Sequence, residues 1–357
     1  MKKLIKKRNI ESNLLVTGGC GFIGSNFIRY LLEDINFKGR IINVDKLSYA
    51  GNTENLYGIK ENFPENYHFF QTDICDKKSL TDIFLNENID VICHFAAESH
   101  VDRSIHRPDD FIQTNIIGTF NLLELARQFQ DRIKIFHHVS TDEVFGTLGK
   151  TGHFTEKTPY DPRSPYSASK AASDHLVRSY FHTYELPITI SNCSNNYGPY
   201  QFPEKLIPLM ILNAINNKAL PVYGDGKNIR DWLFVKDHCT AIYLIMTRGR
   251  PGETYIIGGN TEMQNIEIVE MICDILDELF PPKKPRKELI TYVKDRPGHD
   301  FRYAIDFTKL KKELAWKPEE SFSSGIRKTV NWYIDNEKWV KRVKSGEYRD
   351  WIKKHYK

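Results

Sequence analysis

Apolar runs of strand length alternate with stretches of helical period through the first half of this 357-residue chain. The runs are "NLLVTGG", "RIINVD", "HFFQTDI", "DVICHFAA", "IKIFHHVS" and "PITISNCS". Continuously apolar strands separated by helices need a sheet covered on both faces, which is the setting of parallel strands. Helical stretches fall at about 77–87, 110–129 and 166–184. An earlier one, "GFIGSNFIRYLLEDI", puts Ile23, Phe27, Tyr30 and Leu31 on one face. The pattern predicts an α/β fold, a Rossmann-like doubly wound parallel sheet over roughly residues 10–190. Beyond residue 197 the rhythm breaks into the loop-like "NYGPYQFPEKLIP", then mixed helices and short strands. This predicts a first domain over 1–196, with 1–10 as a frayed basic tail, and a smaller mixed α/β domain over 197–357. Exchange of chain between the two is allowed. The run "PPKKPRKE" (281–288) reads as a surface loop whose charge is solvating.

Composition narrows the function classes. Fifty basic and 46 acidic side chains leave +4, too little to argue for a nucleic-acid partner. The 40% apolar and 12% aromatic content is that of a soluble globular protein. The basic start "MKKLIKKR" is followed by no apolar leader, because "NLLVTGG" runs straight into a glycine turn, so no signal peptide is expected. No apolar run is long enough to cross a bilayer, and no membrane partner is expected. Six scattered cysteines without a CxxC pair fit a reducing cytoplasm better than a disulfide scaffold. His137 and His138 would point to opposite strand faces, and no HExxH spacing occurs, so no metal is expected.

The first strand ends in "GGCGFIG", where Gly18, Gly21 and Gly24 follow GxxGxxG and Gly19, Gly21 and Gly24 also satisfy GxGxxG. Glycines permit a tight strand-to-helix turn and let the backbone approach a pyrophosphate at the helix's positive end. The second strand ends in Asp45, 21 residues beyond Gly24, where a carboxylate can bind the ribose hydroxyls of NAD. It would repel the 2′-phosphate of NADP, although Lys46 beside it weakens that distinction. Asp73 and Ile74 end the third run, and Ala96 and Ala97 lie at the end of the fourth. All four are expected at the carboxyl edge, where ligands of open α/β sheets bind.

In "PYSASK", Tyr166 and Lys170 are four apart at the start of a helix, hence on one face. Lys170 can lower the phenol's pKa and make Tyr166 a base for an alcohol proton. The fifth strand ends at Thr141, whose hydroxyl could hydrogen-bond the same oxygen. Next come Asp142 and Glu143, in "HVSTDEVFG". A solvated loop would accept two acids. The alternative is that one gives a proton while its neighbour takes one, since repulsion and burial separate their titrations. For both to reach one substrate ring, the backbone must leave strand geometry by Asp142. Arg230 and Arg296 are suited to bidentate binding of a diphosphate.

With "GGCGFIGSNF", "FAAESHVDRS", "VSTDEVFG", "PYSASKAASDHLV" and "NCSNNYGPYQFPEKLIP" together, the chain resembles the extended short-chain dehydrogenase/reductases. Within them it is most similar to the dTDP-glucose 4,6-dehydratase family, over about residues 14–306. Phe145 stands where that family usually has tyrosine, and Cys20 where alanine is usual. The resemblance implies an NAD-dependent hydro-lyase. Tyr166 would take the C4 hydroxyl proton with Thr141 and Lys170 assisting, Glu143 the C5 proton, and Asp142 would protonate the departing C6 hydroxyl. Hydride would pass from C4 to NAD and back to C6. The resemblance adds Phe22, Ile23, Leu47, Ser48, Phe95, Ser99, Thr114 and Asn196 at the cofactor, which Tyr166 and Lys170 also touch. It puts Ser99, Thr141, Asn195, Lys205, Tyr223, Asn265 and His299 near a nucleotide-sugar substrate held mainly by the second domain. A homodimer packed through the helix at about 110–129 is also implied. Two rivals stand beside this reading. A nucleotide-sugar 4-epimerase would need Tyr166, Lys170 and Thr141 but has no use for the acid pair. A non-catalytic NAD-binding scaffold would need none of these side chains.

Overall fold

The computed structural model describes residues 7–295 and 297–344. Six strands follow the six apolar runs: β1 (Asn13–Thr17), β2 (Arg40–Asp45), β3 (Tyr67–Gln71), β4 (Val91–His94), β5 (Ile135–Thr141) and β6 (Ile188–Cys193). A further strand, Thr254–Ile257, pairs with β6 and completes a seven-stranded sheet in which every pairing is parallel. It comes from beyond residue 197, so the chain crosses back to finish the first sheet. From that strand the order is β6, β5, β4, β1, β2, β3. The direction of winding reverses between β1 and β4, which opens a crevice at the strands' carboxyl ends.

Both faces of the sheet are buried, as strand composition requires. Alternate residues of β1 divide between two cores: Leu14 and Val16 pack with Val91, Cys93 and Ile135, while Leu15 packs with Ile42, Ile92 and Phe136. Helices Phe22–Arg29 and Val235–Arg248 cover the first face. Lys77–Glu87, Thr119–Gln128 and Pro165–Tyr184 cover the second. Local chemistry fixes where helices begin. Asp76 accepts the amide proton of Ser79, and Ser164 forms a reciprocal capping box with Ser167 just ahead of Pro165.

The remainder of the chain builds a second core. Strands Asn195–Tyr197, Ile229–Phe234 and Glu262–Gln264 form one small sheet, and Leu220–Tyr223 pairs with Ile290–Val293. Helices Leu206–Ile215, Asn265–Leu279, Phe322–Asp335 and Glu337–Val343 close around them, burying Met210, Ile272, Val330 and Tyr333. No helix among the described residues is long and apolar enough to cross a membrane.

Three sequence expectations change here. Residues 1–6 lie outside the described set, but Arg8 and Ile10 are not frayed. The Arg8 side chain donates to the carbonyls of Met246 and Gly249, and Ile10 is buried. The helix expected at 110–129 runs in three pieces, Pro108–Phe111, a π-helical stretch Ile112–Gly118, and Thr119–Gln128. The wider turn serves Asn115, whose carboxamide binds both backbone groups of Glu98 and the Ser169 hydroxyl.

The basic run 281–288 is not wholly a solvated loop. Arg286 is buried, donating to the carbonyls of Ala214, Leu276 and Phe280 and pairing with Asp277 at 2.7 Å. Replacing it by methionine would strand those acceptors. Arg286→Met is expected to lower stability by about 2–4 kcal/mol, read as a shift in denaturation midpoint.

Candidate active site

The glycine turn after β1 is shaped by contacts that leave no space for a side chain. Gly18 has φ +71°, and a Cβ there would sit 2.7 Å from backbone atoms of Ala96. A Cβ on Gly24 would sit 2.3 Å from the Gly18 carbonyl oxygen. Gly18, Gly21 and Gly24 all line the main cavity, together with Phe22 and Ile23 at the mouth of the helix. The frame used is therefore GxxGxxG; a Cβ on Gly19 would run into the buried Asn43 side chain instead.

Asp45, at the end of β2, lies on the same wall and accepts amide protons from Cys20 (2.9 Å) and Leu47 (2.8 Å). Burial raises its proton affinity above the ordinary carboxylate value, and these two donors oppose that. Lys46 reaches Glu98 at 3.4 Å and Asp73 at 3.9 Å and donates to Thr114. Its charge faces those carboxylates and also Asp45, whose proton affinity it lowers. Ser48, Asp73, Ile74 and Thr114 line one side of the cavity, with Phe95, Ala96, Ala97 and Ser99 along β4's end. Leu47 alone of the expected cofactor residues does not line it; it takes φ +57° and packs on the core. Glycines that admit close approach, a ribose-range carboxylate and a cleft at the switch point together fit a dinucleotide.

The cavity continues to the ends of β5 and β6, where it meets Thr141, Asp142, Glu143, Tyr166, Lys170 and Asn196. The strand stops at Thr141 and a 3₁₀ turn, Asp142–Phe145, begins at once, so the two acids escape the two-face alternation of a strand. The Thr141 hydroxyl caps this turn, accepting from the Glu143 amide, and donates to Asp142 Oδ1 at 3.3 Å. Asp142 is 2% exposed, and its Oδ2 has no hydrogen-bond partner among the described residues. Burial pushes its proton affinity well above the usual carboxylate range; Glu143 and Asp231 add to this, while Arg230 and Thr141 oppose it.

Lys170 is buried and donates to the Val139 carbonyl at 2.9 Å. Lys170 is expected to lower the phenol's pKa, but in this pocket the balance runs the other way. Burial, then Glu143, raise the Tyr166 proton affinity, and the Thr141 hydroxyl only partly offsets them. The reason is that the phenol is buried beside acids, which makes a phenolate costly. Phe145 lies outside the cavity, its ring 5.2 Å from those of Phe154 and Tyr160.

A second cavity adjoins the first and shares Glu143, Asn195, Glu204 and Lys205 with it. Its wall also holds Tyr223, Arg230, Asn265 and His299, all expected at the substrate. Arg296 lies outside the described residues. Arg230 is buried under Tyr303, 4.2 Å from the ring centroid, and donates to the Asp300 carbonyl. Oδ1 of Asn195 and Oδ1 of Asn265 are buried and lack hydrogen-bond partners among the described residues, as suits a polar ligand.

Two supporting residues escaped the sequence reading. Asp174 is fully buried and accepts from Ser140, Asn192 and Tyr160, while Asn192 also holds the Thr141 carbonyl. Its charge favours protonated Lys170 against the effect of burial. Its place four residues after Lys170 was the available signal, since i and i+4 share a helix face. Asn115 gave no local signal, because its partners come from two other segments.

A twisted parallel sheet with a dinucleotide crevice and a Thr–Tyr–Lys strip defines a short-chain dehydrogenase/reductase fold. The "GDP-mannose 4,6 dehydratase" family model matches residues 15–329. A dTDP-glucose 4,6-dehydratase of Neisseria meningitidis is 56% identical over 94% of this chain and 97% of its own. The Bacillus anthracis dTDP-glucose 4,6-dehydratase, solved with NAD, superposes with TM-score 0.84 at 48% identity, covering 93% of this chain and 99% of that one. The Streptomyces venezuelae enzyme of that name, also solved with NAD, gives 0.87 at 43% identity over the same shares. The chain belongs to this 4,6-dehydratase family, alongside the dTDP-glucose 4,6-dehydratases.

Proposed function

We propose that the chain acts as an NAD-dependent dTDP-glucose 4,6-dehydratase, removing water across C5–C6 to give dTDP-4-keto-6-deoxyglucose. The observation that carries this is the acid pair: a buried Asp142 that favours its proton beside a half-buried Glu143, next to Tyr166 and Lys170. The cofactor would lie against Gly18, Gly21, Gly24 and Asp45. When bound, it supplies the acceptor and later the donor of hydride.

The chain's own groups do the rest. Tyr166 accepts the C4 hydroxyl proton once Lys170 and the bound cofactor's charge stabilise its phenolate, with Thr141 holding the same oxygen. Oxidation at C4 acidifies the C5 proton, which Glu143 takes as general base. Asp142, whose burial favours the protonated carboxyl, gives its proton to the C6 hydroxyl, which leaves as water. The second cavity holds the diphosphate and nucleoside, with Arg230 supplying charge. Burial there excludes the bulk water that would compete for these protons. This reading assigns cofactor binding to residues 1–196 and sugar-nucleotide binding mainly to 197–357. The two cavities fall largely on either side of that boundary.

A cytoplasmic homodimer completes the reading. Ile112, Ile117 and Phe120 expose 39–42% of their surface along the segment expected to form its contact, and light scattering tests it. Catalysis is tested by incubating protein and NAD with dTDP-glucose. A 4-keto-6-deoxy product that absorbs in alkali is expected. A clean galactose epimer would make the protein an epimerase, and no turnover of any dTDP-, UDP-, CDP- or GDP-sugar would favour the scaffold.

A further inference from the structure

The C-terminal helices reach back across the molecule to the cofactor turn. On helix Glu337–Val343, the Trp339 indole N–H donates to Asn55 Oδ1 at 2.8 Å, 284 positions away in sequence. Asn55 is 1% exposed, and its carboxamide nitrogen donates to the Cys20 carbonyl at 2.9 Å. The same carbonyl accepts the Asn52 amide at 3.0 Å, while the Cys20 amide binds Asp45. Cys20 sits inside the glycine turn itself, so one residue of the turn is gripped between the ribose-range acid and the Asn52–Asn55 loop. That loop follows Ala50 and Gly51, which line the cofactor cavity. Arg29 donates to the Asn55 carbonyl, and Arg342 pairs with Glu54 at 2.8 Å, so the loop is tied on both sides.

We propose that Trp339 is a positioning residue that latches the Asn52–Asn55 loop over the cofactor turn and so slows release of NAD, a role that rests on the cofactor reading above. The chemistry gives such a latch a purpose. In a reaction that both takes and returns hydride within one turnover, a cofactor lost midway strands an oxidised sugar. The hydrogen bonds are buried, so breaking them to open the loop leaves Asn55 with an unsatisfied amide. Trp339 is also seated against Trp332 and Tyr200, with ring centroids 5.0 and 6.1 Å away. The indole is therefore aimed by packing before any cofactor arrives.

The test is the rate at which full-length protein loaded with NAD releases it into excess competing nucleotide, wild type against Trp339→Phe, which keeps the aromatic packing and removes only the N–H. The release rate is expected to rise about fivefold to tenfold, the weight of one buried hydrogen bond. The NAD-free protein is expected to melt lower by no more than about 4 °C, the cost of the lost bond, and kcat at saturating NAD to stay close to wild type. Asn55→Leu cuts both links of the chain, so adding Trp339→Phe to it is expected to speed NAD release no further. An unchanged NAD release rate in Trp339→Phe, or full additivity in the double variant, would overturn the latch. Wild-type protein that takes up no NAD would instead overturn the cofactor reading, and the latch with it.

Discussion

Glu143→Gln is expected to abolish steady-state dehydration, lowering kcat by about 100- to 10,000-fold, the usual weight of a general base. The amide is nearly isosteric and keeps the contact between the residue 143 backbone and the Thr141 hydroxyl. It cannot accept the C5 proton. Nothing in the earlier step needs that carboxylate, because the C4 proton goes to Tyr166. A single turnover with dTDP-glucose should therefore show the reduced nicotinamide band rising and persisting, where wild type shows at most a transient. Full product formation by this variant would remove Glu143 from the mechanism.

Asp142→Asn is expected to separate activity from stability. Burial raises the proton affinity of Asp142 well above the ordinary carboxylate value, so the folded protein holds a proton that the unfolded chain has released. Between those two pKa values the native state binds more protons than the unfolded one. This site's contribution to stability therefore falls as pH rises through that window. Asparagine cannot ionise and is spared that loss. The variant should melt at or above wild type, with the gap widening as pH rises above the ordinary carboxylate range. Its kcat should fall by about 100- to 10,000-fold, because no proton reaches the departing hydroxyl. A melting temperature that drops at every pH would show that Asp142 serves packing instead.

The main sheet was legible because each strand carries its own apolar run and each helix its own period. The glycine turn and Asp45 were legible because their spacing is local and its physical reason general. What stayed hidden depends on distant partners. Arg286 reads as one charge in a basic run, yet its acceptors are the carbonyls of residues 214, 276 and 280. The last strand of the main sheet, Thr254–Ile257, pairs with β6 across some sixty residues, and nothing in its own composition names that partner. The balance at Tyr166 was not legible, because helix spacing supplies Lys170, whereas burial and the nearness of Glu143 are properties of the assembled pocket. The second cavity was reached mainly through family resemblance. Its Asn195, Tyr223, Asn265 and His299 come from separate segments with no spacing rule to link them.

One experiment reads the hydride return and the elimination across C5–C6 most directly: wild-type protein with dTDP-glucose and NAD in deuterium oxide, with the product examined by NMR. Half-buried Glu143 exchanges its captured proton with solvent before returning one to carbon. A 4-keto-6-deoxy sugar carrying one solvent deuterium at C5, and the substrate's own C4 hydrogen at C6, is therefore predicted. A 4-keto-6-deoxy product whose C6 hydrogen came from solvent, or a C4 epimer with no loss of water, would contradict the account.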